Sequence, residues 1–306
     1  MVNAKSKQGY TGFKARSRDD KIIAVVCYTF VTIFALTIIY PMLNVFSVAF
    51  ASYADYLRRP WMFYPKEIDL QAFQKVFSSM LIWNSYKNTV IITVSGTLLT
   101  LILTTLTAYP ISRPYLKGRG VFTTIIIITM VFSGGIIPKF LVMKSIGLYN
   151  NLLSLIIPSA LSAFNIILMI NFFQAMPESL LEAARIDGAN EPRILAQIVV
   201  PLSKPILATI ALFAAVGYWN NYFSAVMYIR KQELWPVQLV LREIVLANNT
   251  AALDAGNNLA EAGGQAVYTK SLQYASLIVV MLPIMCVYPF LQRYFAKGVM
   301  LGAVKG

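Results

Sequence analysis

The sequence contains no histidine and few charged residues, since only 13% of its 306 residues are Asp, Glu, Lys or Arg. Without histidine the chain has no side chain that titrates near neutral pH, no serine–histidine pair and no histidine-bound metal. Its two cysteines, Cys27 and Cys286, lie inside apolar runs, where cysteine behaves as a small hydrophobic residue. Catalysis by this chain alone, or metal binding, is therefore not expected.

Acidic residues are the scarcer charge: 13 Asp and Glu stand against 26 Lys and Arg, a net charge of +13. The basic residues lie between apolar runs and not in one cluster, so no nucleic-acid partner is expected. Hydrophobic residues make up 58% of the chain, and the mean hydropathy is +0.63. This apolar content exceeds what a single soluble core requires and indicates a membrane protein.

The apolar residues are concentrated in six runs, each long enough to cross a bilayer. They predict an all-α, polytopic membrane protein with one transmembrane domain over 22–295, a basic tail over 1–21 and a second tail over 296–306. Gly134 and Gly135, followed by Pro138, are expected to interrupt the third span. The six runs cover 22–49, 88–112, 121–143, 152–174, 206–228 and 273–295.

Positive charge predicts the orientation, because Lys and Arg resist translocation across the membrane. Fourteen of the 26 basic residues fall in the two tails and in the loops after the second and fourth spans, and Arg293 at the end of the sixth run adds a fifteenth to that side. Both termini are therefore expected in the cytoplasm. On the opposite side, the pattern around Leu70 and Phe73 and the segment 234–246 predict short helices, and 247–266 predicts a mobile loop.

The loop over about 175–205 has a helix pattern of its own that membrane insertion does not explain. Pro177 and Glu178 suit a first helical turn, Gly188 suits a helix end, and Asn190 suits the start of a second helix. An amphipathic helix in the headgroup layer is one interpretation. The excess of acidic residues favours the other, a helix that docks into a basic groove on a partner protein.

Glu182-Ala183-Ala184, then Gly188, Ile198 and Pro201, resemble the cytoplasmic EAA loop of permease subunits in ABC importers. Val200 stands where that family usually has leucine. Four further stretches resemble the carbohydrate-uptake permeases of the maltose-transporter type, in the branch that handles oligosaccharides cut from polysaccharides. These stretches are 132–138, 218–222, 235–243 and 295–306.

The resemblance implies a membrane-spanning subunit that forms half of a translocation pathway. Its partners would be a second, similar permease, two ATP-binding subunits, an extracytoplasmic solute-binding protein and membrane lipid, in a bacterial cytoplasmic membrane. The chain has no phosphate-binding loop, so ATP and Mg would be bound by the partner subunits and this chain would hold no cofactor. The residues that would couple it to the ATPase are Glu182, Ala183, Ala184, Asp187 and Gly188.

Amide and aromatic side chains inside the spans are the candidates for the solute pathway. Sugar rings stack on aromatic faces and their hydroxyl groups bond amides, although intramembrane amides also bond neighbouring helices. A slight basic excess in the external loops permits acidic sugars as cargo. The pathway candidates are Asn165, Tyr218, Trp219, Asn220 and Asn221.

Three alternatives stay open from the residues alone. An ABC permease for a non-sugar solute would have the same loop. An ion-coupled secondary transporter is disfavoured because no charged residue lies at the centre of a predicted span. A membrane enzyme is disfavoured by the lack of histidine and of paired intramembrane carboxylates.

Overall fold

The computed structural model describes residues 18–255, 270–287 and 289. Throughout that part of the chain the regular structure is helical, apart from one isolated bridge between Ala51 and Ile68, so the predicted all-α class is confirmed. The chain divides into two compact units, 1–69 and 70–306. Most of the predicted N-terminal tail and all of the predicted C-terminal tail lie outside the described residues.

The first unit contains α1 (Arg18–Ala49) and α2 (Tyr53–Arg58). Between Ile22 and Leu43 helix α1 is apolar over its whole circumference and most of its hydrophobic side chains are exposed, as expected for a helix surrounded by lipid, whereas Val48 and Ala49 at its end are buried. The connection after α2 is held by Asp55, which accepts bonds from the Arg59 guanidinium and from the backbone amide of Lys66. The hydrogen bond from Arg59 and that amide hold the pKa of Asp55 below its usual value.

The second unit contains the remaining helices, with short 3₁₀ turns at Ile157–Ser159 and Gln232–Leu234 and a π-helical turn at Leu195–Val199. The helices are α3 (Gln71–Ser78), α4 (Met80–Ser112), α5 (Arg119–Val131), α6 (Ile136–Ser145), α7 (Leu153–Ile156), α8 (Ala163–Gln174), α9 (Glu178–Ile186), α10 (Glu191–Ile194), α11 (Val200–Leu202), α12 (Lys204–Trp219), α13 (Phe223–Tyr228), α14 (Val237–Ala255) and α15 (Lys270–Val287).

Three of the described helices are long and apolar enough to cross a membrane singly: Lys21–Ala49 within α1, then α4 and α15. Three bent pairs pass the same test when each pair is taken together. The count of six spans holds if each bent pair is one span, and it stays a prediction in that form. The pairs are Arg119–Val131 with Ile136–Ser145, Leu153–Ser159 with Ala163–Gln174, and Glu191–Leu202 with Lys204–Trp219, bent by 111°, 46° and 81°.

The interruption predicted at the glycine pair is confirmed. Helix α5 ends at Val131 and α6 begins at Ile136, with Gly135 between them at a φ of +81°. Only glycine adopts that conformation without a steric cost, and Pro138 in the first turn of α6 needs no amide partner there. The two halves of this pair therefore leave the break in different directions.

Helix α4 is the centre of the second unit and packs mainly against α12 and α8. Small and hydroxylated residues allow this close approach, as they do between membrane helices generally. Gly96 lies against the ring of Tyr218, and a Cβ atom at position 96 would meet that ring at 2.6 Å. Thr100 is buried in the same interface.

The two short helices predicted outside the six apolar runs have different outcomes. The helix expected around Leu70 and Phe73 is α3. The helix expected over 234–246 is present as α14, but it runs from Val237 to Ala255, so the loop predicted to begin at 247 was wrong for 247–255. Alanine and leucine in that stretch favour helix, and no glycine interrupts the sequence before position 256.

Candidate functional site

Helix α9 forms where the sequence predicts it. Pro177 precedes its first turn, and Glu178 carries negative charge there, where the helix dipole favours it. The helix ends at Ile186, and Gly188, two residues further on, has a φ of +78°. In this conformation the amides of Gly188 and Ala189 reach back to the carbonyls of Arg185 and Ala184, both at 3.0 Å. The chain then turns into α10, whose start Asn190 caps by accepting a bond from the amide of Arg193.

Helix α9 has one buried and one exposed face. Leu181 and Ala184 point inward, into a core cluster shared with α4, α8 and α12. The structure therefore places Ala184, a candidate coupling residue, on the buried face. The exposed face carries Glu182, Ala183, Asp187 and Gly188 together with Ile186, whose 87% exposure is high for an isoleucine.

A polar cluster, here called the brace, connects α9 with α4 and with the start of α10. It consists of Tyr109, Tyr115, Arg185 and Glu191. Tyr109 donates a hydrogen bond to one Glu191 carboxylate oxygen at 2.6 Å, and Arg185 donates to the other at 3.0 Å. Arg185 also donates to the Tyr115 hydroxyl at 3.1 Å, with its guanidinium over the Tyr115 ring. Each polar group of the brace thus has a partner.

Charge is retained in the brace. Burial acts to lower the pKa of Arg185, but hydrogen bonds to Glu191 and Tyr115 outweigh it and raise that pKa above its usual value. Burial raises the pKa of the Tyr115 hydroxyl, which therefore stays protonated. The brace is consequently a charge-assisted network at physiological pH, and such bonds are stronger than neutral ones.

Arg113 extends this arrangement to the end of α8. It is 2% exposed, and it donates to the backbone carbonyl of Phe173 at 2.8 Å and to the Ser112 hydroxyl at 3.0 Å. Its guanidinium lies over the Tyr109 ring. A cation is favoured at the carbonyl end of a helix, so Arg113 fixes the last turn of α8 to the end of α4.

A cavity of about 420 Å³ lies between α4, α8 and α12. Three of the five pathway candidates line it: Asn165, Tyr218 and Asn221. Asn221 also accepts a bond from the backbone amide of Ser224, at the start of α13. The cavity is lined by Thr100, Ser159, Ser162, Phe164, Asn165, Phe213, Ala214, Gly217, Tyr218 and Asn221.

Tyr218 contributes mostly to helix packing. Its side chain is buried, and its hydroxyl lies 3.3 Å from that of Thr100 and donates to the carbonyl of Ile156 at 3.1 Å. These bonds join α12 to α4 and α7. The tyrosine therefore forms a wall of the cavity, and its hydroxyl group already has protein partners.

The other two pathway candidates lie away from the cavity. Trp219 is buried in a separate cluster with Val237 and Val280, and its ring meets that of Tyr86 edge to face. Asn220 accepts a hydrogen bond from the Gln238 side chain at 3.0 Å. Successive residues on a helix point about 100° apart, so Tyr218 and Trp219, the last two residues of α12, face different neighbours.

Sequence reasoning did not select the phenylalanines and serines of the cavity or the brace. Phe164 and Phe213 resemble any lipid-facing phenylalanine in the sequence. Tyr109 and Glu191 are 82 positions apart, so no local pattern joins them. The one available signal was Arg185 and Glu191, opposite charges on either side of a predicted helix break.

Bent apolar helix pairs, an exposed helix in the loop between two of them, and a cavity among the helices define an α-helical membrane permease. The chain belongs to the family described as the binding-protein-dependent transport system inner membrane component, whose model matches residues 101–301. It is a membrane-spanning permease subunit of the ABC importer class, and the resemblance carried by the EAA loop is confirmed.

Two relatives with named cargo align with nearly the whole chain. The polygalacturonan/rhamnogalacturonan transport system permease protein YtcP of Bacillus subtilis is 40% identical over 288 residues, which cover 94% of this chain and 99% of that protein. The melibiose/raffinose/stachyose import permease protein MelC of the same organism is 29% identical over 297 residues, covering 95% and 99%.

Two solved structures share the fold. A bacterial ABC transporter involved in the import of the acidic polysaccharide alginate contains a chain that matches with a TM-score of 0.82 at 38% identity, covering 92% of this chain and 99% of that one. A bacterial alginate ABC transporter in complex with an alginate pentasaccharide-bound periplasmic protein matches with a TM-score of 0.60 at 15% identity, covering 90% and 93%. The second likeness concerns the fold alone.

Proposed function

We propose that this chain forms half of the translocation pathway of an ATP-driven importer for oligosaccharides cut from an acidic polysaccharide. Support for sugar cargo comes from relatives whose names specify saccharides, and support for acidic cargo comes from the polygalacturonan permease and the alginate transporter. The chain would lie in the bacterial cytoplasmic membrane with both termini in the cytoplasm, as the distribution of Lys and Arg favours.

The complex would contain a second permease, two ATP-binding subunits and an extracytoplasmic binding protein that delivers the oligosaccharide. This chain has no G-x-x-x-x-G-K-[ST] loop, so ATP and Mg would be bound by the partner subunits. Its own contribution would be the pathway and the contact that links the pathway to ATP hydrolysis.

The observation that carries this proposal is the brace, because it joins the exposed helix α9 to the long helix α4. Glu182, Ala183 and Ile186 would dock into a groove on an ATP-binding subunit, with Asp187 and Gly188 at the edge of the contact. Movement of α9 would pass through Arg185 and Glu191 to Tyr109, and so to α4. Helix α4 packs against α8 and α12, so this route leads to the walls of the cavity.

For the pathway itself, we assign the cavity between α4, α8 and α12. Asn165 and Asn221 would offer amide groups to sugar hydroxyls, and Tyr218 would form the wall behind them. Trp219 and Asn220 would act in packing, in keeping with their contacts.

The test of function is purification of the tagged chain from its host, identification of copurifying proteins, and reconstitution in vesicles. The expected result is recovery of a second permease and an ATP-binding subunit, with ATP-dependent uptake of galacturonate oligomers. Uptake of amino acids or phosphate in place of any sugar would overturn the cargo assignment. A chain that transports without any ATPase partner would establish a secondary transporter.

Docking is tested by Glu182→Lys, with Glu243→Lys as the matched control on α14. Glu182 is exposed and Glu243 is partly exposed, but only Glu182 lies on α9. Reversing charge at the docking face should reduce recovery of the ATP-binding subunit and abolish uptake, whereas the control should leave both near the wild-type level. Normal recovery and uptake with Glu182→Lys would exclude α9 as the docking helix.

A further inference from the structure

The cavity has no charged side chain among its ten lining residues. Under the proposed function, on which this inference rests, the cargo carries a carboxylate on each uronate unit. An anion that enters a neutral cavity loses hydration, and it needs another source of positive potential there. Two features of the cavity wall supply such a source.

The first feature is the start of α8. The fourth apolar run is bent by 46° between Ser159 and Ala163, so α8 begins inside the run and not at its end. Ser162, Phe164 and Asn165 from this first turn all line the cavity. The three backbone amides of 163–165 have no acceptor within the described part of the chain. The unpaired amides and the helix dipole place partial positive charge at this point.

The second feature is the Asn165 side chain. It is only 6% exposed, it lines the cavity, and it makes no hydrogen bond to any residue that the structure describes. Ser162 precedes α8 without capping it, so its hydroxyl is also available. An amide that lines a cavity without a protein partner is free to bond a ligand or water there. Both groups therefore suit a ligand that carries oxygen atoms.

A pair of aromatic rings borders the same wall. Phe164 and Phe213 lie with ring centroids 6.2 Å apart and tilted by 48°, and both remain substantially exposed. Rings in this position offer an apolar surface to the carbon–hydrogen face of a sugar. The amides of α8 and this surface are adjacent because Phe164 belongs to both.

We propose that this wall is a subsite for one uronate unit. The sugar ring packs on Phe164 and Phe213, and its carboxylate meets the first turn of α8, with hydrogen bonds from the Asn165 amide and the Ser162 hydroxyl. Helix ends play this role toward anionic groups at interrupted membrane helices generally. Binding by partial charge suits a transport pathway, because a buried arginine would hold the carboxylate more strongly and slow its release.

The test compares a galacturonate trimer with its methyl ester in the reconstituted complex with its binding protein. Each uptake rate of a variant is divided by the wild-type rate for the same sugar, so that the preference of the binding protein cancels. The ratio that matters is the normalised uptake rate of the acid trimer divided by that of the methyl ester. Asn165→Asp places a carboxylate beside the α8 amides and should lower this acid-to-ester ratio about tenfold, the effect expected for charge at a helix terminus. Asn171→Asp is the matched control, because it adds the same charge to the exposed far end of α8.

The outcomes are distinct. A ratio that falls for Asn165→Asp but not for Asn171→Asp supports the subsite. Asn165→Leu, which removes the amide without adding charge, should lower the ratio less, and it serves if the aspartate variant fails to assemble. An unchanged ratio in both position 165 variants would overturn the subsite while leaving the importer intact. Absence of any sugar uptake by the wild-type complex would instead overturn the proposed function.

Discussion

The brace and the cavity stand in contrast within one helical unit. In the brace, ionised side chains pair with one another and with two tyrosines, at distances of 2.6 to 3.1 Å. In the cavity the lining is neutral, and Asn165 lacks a partner among the described residues. Paired groups hold one geometry, whereas unpaired ones are available to a ligand. Under the proposed function, the brace would transmit movement and the cavity would receive cargo.

Helix α4 connects the two regions. Tyr109, near one end of this helix, belongs to the brace, and Thr100, about two and a half turns earlier, lines the cavity. A rigid helix that joins the brace to the cavity is suited to carry a displacement of α9 to the cavity wall. If the brace and the cavity have different functions, substitutions in the two regions should have different effects. Four substitutions test this.

The largest effect is expected from Glu191→Ala in the brace. It leaves the buried Tyr109 hydroxyl and the Arg185 guanidinium without their shared acceptor, at a cost of up to about 3 kcal/mol in stability. Uptake per ATP hydrolysed should fall much more than ATP hydrolysis itself. Glu191→Gln, which keeps an acceptor for Tyr109, should restore part of the coupling.

The matched control for this substitution is Glu243→Ala. Glu243 forms a partly exposed ion pair with its neighbour Arg242, so its loss should cost less than about 1 kcal/mol. Equal uptake per ATP in the Glu191→Ala variant and the wild type would show that the brace does not transmit movement.

Gly96→Ala should disturb the packing behind the cavity. The added methyl group would meet the Tyr218 ring at 2.6 Å, and overpacking of this kind costs about 2 kcal/mol. Thermal unfolding in detergent measures the change. Gly120→Ala is the control, since nothing lies within 4 Å of a Cβ atom there. Equal melting temperatures for the two variants would contradict the tight α4–α12 contact.

Gly188→Ala acts on the end of α9. Alanine at a φ of +78° is strained by about 1 kcal/mol, and nothing near the added methyl group would clash. The strain should shift α9 relative to the brace and lower uptake per ATP several-fold, with little change in melting temperature. An unaltered coupling ratio would show that the bend at Gly188 is not required.

The smallest effect is expected from Tyr218→Phe. The hydroxyl bonds to Thr100 and Ile156 would be lost, at a cost of about 1 kcal/mol in stability. The concentration of sugar for half-maximal uptake should change less than it does in Asn165→Leu. A larger change in the tyrosine variant would return Tyr218 to the set of ligand-binding residues.

The sequence by itself determined the helical class, the long apolar segments, the break at Gly134-Gly135 and the presence of the short helix α9. Each of these depends on residues close together in the chain: a run of apolar side chains, a glycine pair, or a proline and a glycine at opposite ends of one short helix. The same reasoning ended α14 too early, because 247–266 was treated as one Asn-, Gly- and Ala-rich loop although its glycines begin only at position 256.

Only the tertiary structure decided which polar and aromatic residues meet. Tyr109 lies 82 positions from Glu191, and Thr100 lies 118 from Tyr218. The direction of each side chain depends on how α4, α8 and α12 rotate against one another, and the sequence pattern of an all-apolar helix does not specify that rotation. For this reason Asn165 and Asn221 face the cavity, whereas Trp219 and Asn220, next to Tyr218 in the chain, do not.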